Sequence, residues 1–164
     1  MTTADGTMQQ TGDAYVLRFE RHIDHPIDRV WAAISTTQGI AAWLGKASVE
    51  LTRGGRVRLQ FDKTVGNVIT GRVTEVDPPR VLAYTFGEED PPSILRWELS
   101  EARDGQGTTL VLTHTLPTPE HGASALAGWH TLLDIIPAAI AGEDPQWSKK
   151  RWDEVHAEYE AAIA

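Results

Sequence analysis

The sequence predicts an α+β domain in which a curved antiparallel sheet of seven strands packs on one face of a long helix near the C-terminus, with two short helices after the first strand. Three observations predict it. Apolar residues recur with period two through most of residues 47–116, the spacing of half-buried strands. Short Gly-, Pro- and Asp-rich clusters reverse the chain between these runs, which favours antiparallel neighbours. From residue 123 the period becomes that of a helix, whose single apolar stripe needs a sheet face to cover it.

Residues 1–13 are polar and read as a flexible tail, leaving residues 14–164 as one domain. Tyr15, Leu17 and Phe19 alternate with Arg18, Glu20 and His22 in a first strand ending near Ile23. Pro26 suits a first helical turn, Asp28 complements a helix N-terminus, and Ile27, Val30, Trp31 and Ile34 share a helical face. A second short helix is expected over residues 37–44, with Gly45 as its left-handed cap. The meander then runs through Val49 and Leu51, the turn Gly54-Gly55, and the alternation Val57, Leu59, Phe61. Strands over residues 67–76, 81–86, 95–99 and 108–116 follow, separated by Asp77-Pro78-Pro79, the acidic turn 87–92 and Asp104-Gly105-Gln106-Gly107. Leu126, Trp129, Leu133, Ile136 and Ile140 make the long helix, in which Pro137 predicts a kink or two abutting segments. Residues 146–163 form an extra helix with Trp152, Val155, Tyr159 and Ile163 on one face.

A chain of 164 residues suits one core better than two. With no cysteine, disulfides, thiolate metal sites and cysteine nucleophiles are excluded, which suits a reducing cytoplasm. Fifteen Lys and Arg against 23 Asp and Glu leave a formal charge of −8, which repels nucleic acid and anionic bilayers. No secretory leader is legible, and no stretch reads as a membrane span, so membrane insertion is not expected.

Several strings carry a family likeness. His25-Pro26-Ile27-Asp28-Arg29-Val30-Trp31-Ala32-Ala33-Ile34 is followed by Ala42-Trp43-Leu44-Gly45, then Gly54-Gly55-Arg56. Next come Gly71-Arg72-Val73-Thr74-Glu75-Val76-Asp77-Pro78-Pro79-Arg80-Val81-Leu82, Gly107-Thr108-Thr109-Leu110, Thr113-His114-Thr115, and finally Gly128-Trp129 and Leu132-Leu133. In this order, over residues 15 to about 142, they resemble the family of activators of heat-shock-protein-90 ATPase and their homologues. That resemblance implies a START-like helix-grip fold of the SRPBCC superfamily, with an apolar cavity between sheet and long helix. A separate N-terminal chaperone-binding domain like that of the namesake activators is not expected, and Pro137 and the extra helix from Gln146 have no clear counterpart.

Trp43, Phe61, Tyr84, Trp97, Trp129 and Leu133 lie on segments that the resemblance places around the cavity, and His114 shares a strand face with Leu110 and Leu112. Ordinary core packing competes with ligand contact for each of these residues. An apolar dye is expected to bind, and Leu133→Trp to displace it. The histidine pairs His22/His25 and His121/His130 lack the helical spacing of a zinc site, so neither metal nor other cofactor is expected. Asp134 is expected to face solvent between its apolar neighbours. Residues 39–47 miss the phosphate-loop spacing, and residues 122–126 lack the last glycine of a nucleophile elbow.

No catalytic residue emerges, and the leading expectation is binding of a small hydrophobic, lipid-like or aromatic molecule. A cyclase- or aromatase-like enzyme acting on a polyketide or aromatic substrate is the alternative. Only Tyr84, Arg96 and His114 offer it a proton-transfer group. A cochaperone-like interaction protein is the third reading. Trp147 and Trp152 suit a homodimer as well as an intramolecular contact.

Overall fold

A computed structural model describes residues 5–64, 66–103 and 105–163 of the chain. Eight strands form one antiparallel sheet in the order β1-β2-β8-β7-β6-β5-β4-β3, rather than the seven expected. These are β1 (Thr7–Thr11), β2 (Ala14–Ile23), β3 (Ala47–Val49), β4 (Arg56–Gln60), β5 (Val68–Asp77), β6 (Val81–Phe86), β7 (Ser93–Glu101) and β8 (Thr108–Leu116). Asp104, expected in the β7–β8 turn, lies outside the described residues.

The additional strand corrects the reading of residues 1–13 as a loose tail. Thr7–Thr11 pairs with β2 from Thr7↔Arg18 to Thr11↔Ala14. Only one residue of this edge strand is even half-buried, so backbone hydrogen bonds rather than an apolar alternation hold it. Residues 1–4 lie outside the described residues.

Alternation explains the remaining strands. Leu17 and Phe19 of β2, Leu95, Trp97 and Leu99 of β7, and Leu110, Leu112 and His114 of β8 are buried on one sheet face, while Arg18, Glu20 and Glu75 stay at the surface. The sheet bends at β5, where the register with β6 shifts between Val73 and Glu75. Gly71 permits the close approach there, since a Cβ would stand 1.9 Å from the Thr85 carbonyl oxygen.

The first two helices are α1 (Ile27–Ser35) and α2 (Thr37–Ala41), the latter shorter than expected. The Thr36 hydroxyl accepts from the Gly39 N–H at 2.9 Å and starts α2. Trp43 and Leu44, expected inside that helix, are buried in the turn beyond it, and Gly45 has a positive φ of 149°.

The long helix α3 (Gly122–Ile140) passes through Pro137 as one element, not two abutting segments. Partners from the α1 region hold its C-terminal end: His25 Nε2–H donates to the Pro137 carbonyl at 3.1 Å, and Arg29 donates to the Ile140 carbonyl. By length and composition alone α3 is apolar enough to cross a membrane, a criterion that the core helix of a folded domain also meets. Here Leu126, Leu133 and Ile136 are buried in the core between the sheet and the other helices.

The last helix, α4 (Lys149–Ile163), packs along α3 and buries Val155 and Tyr159. A polar cluster ties it to the start of the chain. The Tyr159 hydroxyl accepts from the Gly6 N–H at 2.8 Å and pairs with His130 Nδ1 at 2.8 Å. Arg21 bridges Asp5 at 3.0 Å and Asp134 at 2.8 Å. Asp134 is thus exposed, as expected, yet also committed to an ion pair. Tyr159→Phe leaves the buried Gly6 donor and the His130 ring nitrogen without this partner, and is expected to cost about 1–3 kcal/mol of stability. Urea denaturation measures it, and a loss below about 0.5 kcal/mol would show that the hydroxyl is dispensable.

Candidate functional site

Edge-to-face aromatic rings run from the core towards one end of the sheet. Trp43 contacts Trp97 with centroids 6.0 Å apart, Trp97 contacts Trp129 at 5.9 Å, Trp129 contacts Phe86 at 5.8 Å, and Phe86 contacts Phe61 at 6.0 Å. Such T-shaped pairs set the positive ring edge against the negative face of the next ring.

The inner half of this chain is solid core. Trp43 and Trp97 are each only 1% exposed, and Leu133 is equally enclosed. The Trp43 indole N–H donates to the Ala33 carbonyl at 2.8 Å, and that of Trp97 donates to the Tyr84 hydroxyl at 3.3 Å. Burial pushes the Tyr84 phenol up to about 12. These four residues, expected around a cavity, instead fill the space between sheet and α3.

The outer half meets a hollow of about 430 Å³, within the range of about 300–1,000 Å³ for small-molecule sites. Three of the seven expected contact residues line it: Phe61, His114 and Trp129. Phe86 joins them from the end of β6, Thr64 and Asn67 from the β4–β5 connection, His121 from the N-cap of α3, and Ser124, Ala125, Gly128 and Leu132 from α3 itself. Trp147, Lys149 and Trp152 close the remaining side from α4 and the segment before it.

The hydrogen bonds of His114 fix its protonation. Trp129 Nε1–H, which can only donate, reaches His114 Nδ1 at 3.1 Å. The ring proton must therefore sit on Nε2, which donates to Ser93 Oγ at 3.2 Å, and Ser93 in turn donates to the Phe86 carbonyl at 2.9 Å. Burial drives the His114 pKa down to about 4. His114 thus presents a neutral ring to the hollow with both nitrogens engaged.

Arg96 has no place in this hollow. It pairs with Glu75 at 3.2 Å and Glu98 at 2.7 Å, and those hydrogen bonds raise its pKa further. Among the described residues, no cluster of three or more His, Asp or Glu side chains is arranged to hold a metal.

Sequence reasoning missed the contribution of Gly128, Trp147, Lys149 and Trp152. Trp147 donates its indole N–H to Thr131 Oγ1 at 2.9 Å, which pins the segment before α4 across α3. Trp152 stacks on His156 with ring centroids 4.6 Å apart and planes inclined by 9°. A Cβ placed on Gly128 would find only Trp152 Nε1, 4.0 Å away, so the glycine leaves an open floor. A glycine inside the apolar face of a long helix, where it costs about 1 kcal/mol relative to alanine, was the one available signal.

The sequence matches the family described as "Activator of Hsp90 ATPase homolog 1-like protein" over residues 24–141. Among solved structures, CalU16 from Micromonospora echinospora superposes with a TM-score of 0.70 at 26% identity, covering 94% of this chain and 96% of that one. The protein encoded by gene BPP1335 from Bordetella parapertussis gives 0.70 at 29% identity, covering 98% and 94%. An AHSA1-like protein from Aeromonas hydrophila gives 0.65 at 25% identity, covering 77% and 92%. No match was found among curated proteins. The family motifs from the first helix to the long one, the curved antiparallel sheet and the C-terminal helices make this chain a member of the AHSA1-like family.

Proposed function

We propose that this protein binds a small hydrophobic or aromatic molecule in the hollow at the outer end of the ring chain. The observation that carries the reading is the aromatic-walled space of about 430 Å³ left above Gly128. Burial of the occupant's apolar surface supplies most of the affinity, at roughly 25 cal/mol per Å² before the costs of association.

The alternative of a cyclase- or aromatase-like enzyme needs a group that can move a proton at the occupant. Of the three candidates, Tyr84 is sealed in the core, Arg96 is held by two carboxylates, and His114 has both nitrogens engaged. These placements favour binding. The cochaperone reading draws only on the family likeness.

The test uses aminoanthracene, a neutral fluorophore that brightens in apolar surroundings. Because Leu133 lies inside the core, Gly128→Leu replaces Leu133→Trp as the blocking variant. It is expected to keep its circular dichroism and thermal midpoint while weakening dye binding at least about tenfold, through loss of the space the dye must enter. Equal dye affinity in the two proteins, both folded, would rule out this hollow as the site.

A further inference from the structure

The lining of the hollow departs from the charge of the whole chain. Although the sequence has 23 acidic residues against 15 Lys and Arg, no carboxylate lines the hollow among the described residues, and Lys149 is its one Lys or Arg. The Lys149 ammonium stands 5.0 Å above the Trp152 ring. It thereby occupies the place over that ring which a cationic occupant would otherwise take. Its ion-pair partner is Asp153, one turn further along α4, which does not line the hollow. Side-chain exposures of 63% for Lys149 and 57% for Asp153 make this a solvated pair, weak enough for Lys149 to share its charge with a second anion.

A second donor points the same way. Trp152 Nε1–H, a donor that needs an acceptor, stands 4.0 Å from the place a Cβ on Gly128 would take, beside the bare floor. An oxygen on an occupant lying across Gly128 would supply that acceptor. The nearby imidazole of His114 is committed to Trp129 and Ser93 and offers no free nitrogen.

We propose that the hollow selects a flat aromatic molecule bearing one carboxylate-like anionic group, with its rings against Phe86 and Trp129 and its anion at Lys149 and the Trp152 indole N–H. This selectivity rests on the binding function proposed above and adds the chemical class of the ligand. The rings contribute apolar contact, and the rim cation discriminates by charge.

The experiment compares three naphthalenes substituted at the same ring position: the carboxylate, the neutral methanol and the methylammonium. Binding is measured by calorimetry at neutral pH and low salt. The carboxylate is expected to bind about three- to tenfold more tightly than the alcohol, with the ammonium weakest, and added salt should reduce the difference. Lys149→Gln should erase the preference of carboxylate over alcohol. Asp153→Asn, which releases Lys149 from its partner without touching the hollow, should enlarge it.

An alcohol that binds as tightly as the carboxylate, an ammonium that binds best, or an unchanged ratio in Lys149→Gln would overturn the anion selectivity while leaving the hollow a binding site. Failure of all three probes to bind a wild-type protein that still binds aminoanthracene would overturn the selectivity alone, and failure of the dye as well would overturn the binding function with it.

Discussion

Replacing Trp97 by alanine is expected to cost about 3–5 kcal/mol of folding stability, the range for deleting a large aromatic from a packed interior. Trp97 is 1% exposed, meets Trp43 and Trp129 edge to face, and donates to the Tyr84 hydroxyl. The substitution therefore opens a void and removes the donor that reaches a buried phenol. Trp97→Phe keeps part of the ring contact and should lose less. Urea denaturation followed by circular dichroism measures both. A loss below about 1.5 kcal/mol for the alanine variant would mean that the surrounding rings collapse into the void, contrary to an interior in which each ring is fixed by its neighbours.

Acid is expected to weaken the fold well before the carboxylates titrate. His114 is neutral in the native protein because burial lowers its pKa to about 4, against 6.5 for the unperturbed side chain. Above pH 6.5 neither state binds the proton. Between 6.5 and about 4 the unfolded chain binds it and the native protein does not, so stability falls with decreasing pH at up to about 1.4 kcal/mol per unit. Below pH 4 this residue adds no further slope. His130, lowered chiefly by burial against the opposing pull of Asp134 and Asp5, acts with the same sign. Urea midpoints between pH 7 and pH 5 should reveal a loss of about 2 kcal/mol attributable to His114. His114→Gln should flatten the profile, and an unchanged profile in that variant would assign the acid sensitivity elsewhere.

The fold was legible wherever burial imposes a period. Leu95, Trp97 and Leu99 alternate because one sheet face is dry, and Leu126, Leu133 and Ile136 recur because one helix face is. Thr7–Thr11 escaped because a strand held by its backbone at a sheet edge needs no such pattern. The apolar length of α3 also comes from burial: the helix is enclosed by the sheet, α1 and α4 together, and so is apolar on more than one side.

The site was legible only in part. Alternation assigns a residue to a face but not to a depth, so it could not separate Trp97, which touches Trp43, from Phe61 and His114, which reach the hollow. The remaining wall depends on how α4 lies against α3. That placement is fixed by Trp147 on Thr131 and by Tyr159 on Gly6 and His130, pairings that join distant parts of the chain.

Helix α4 carries Lys149 and Trp152 on the hollow and, three turns on, the tyrosine that grips residue 6. Filling and fastening are therefore reciprocal. If a guest held at Trp152 favours the docked strap, then loosening the strap at its far end must weaken the guest by the same factor.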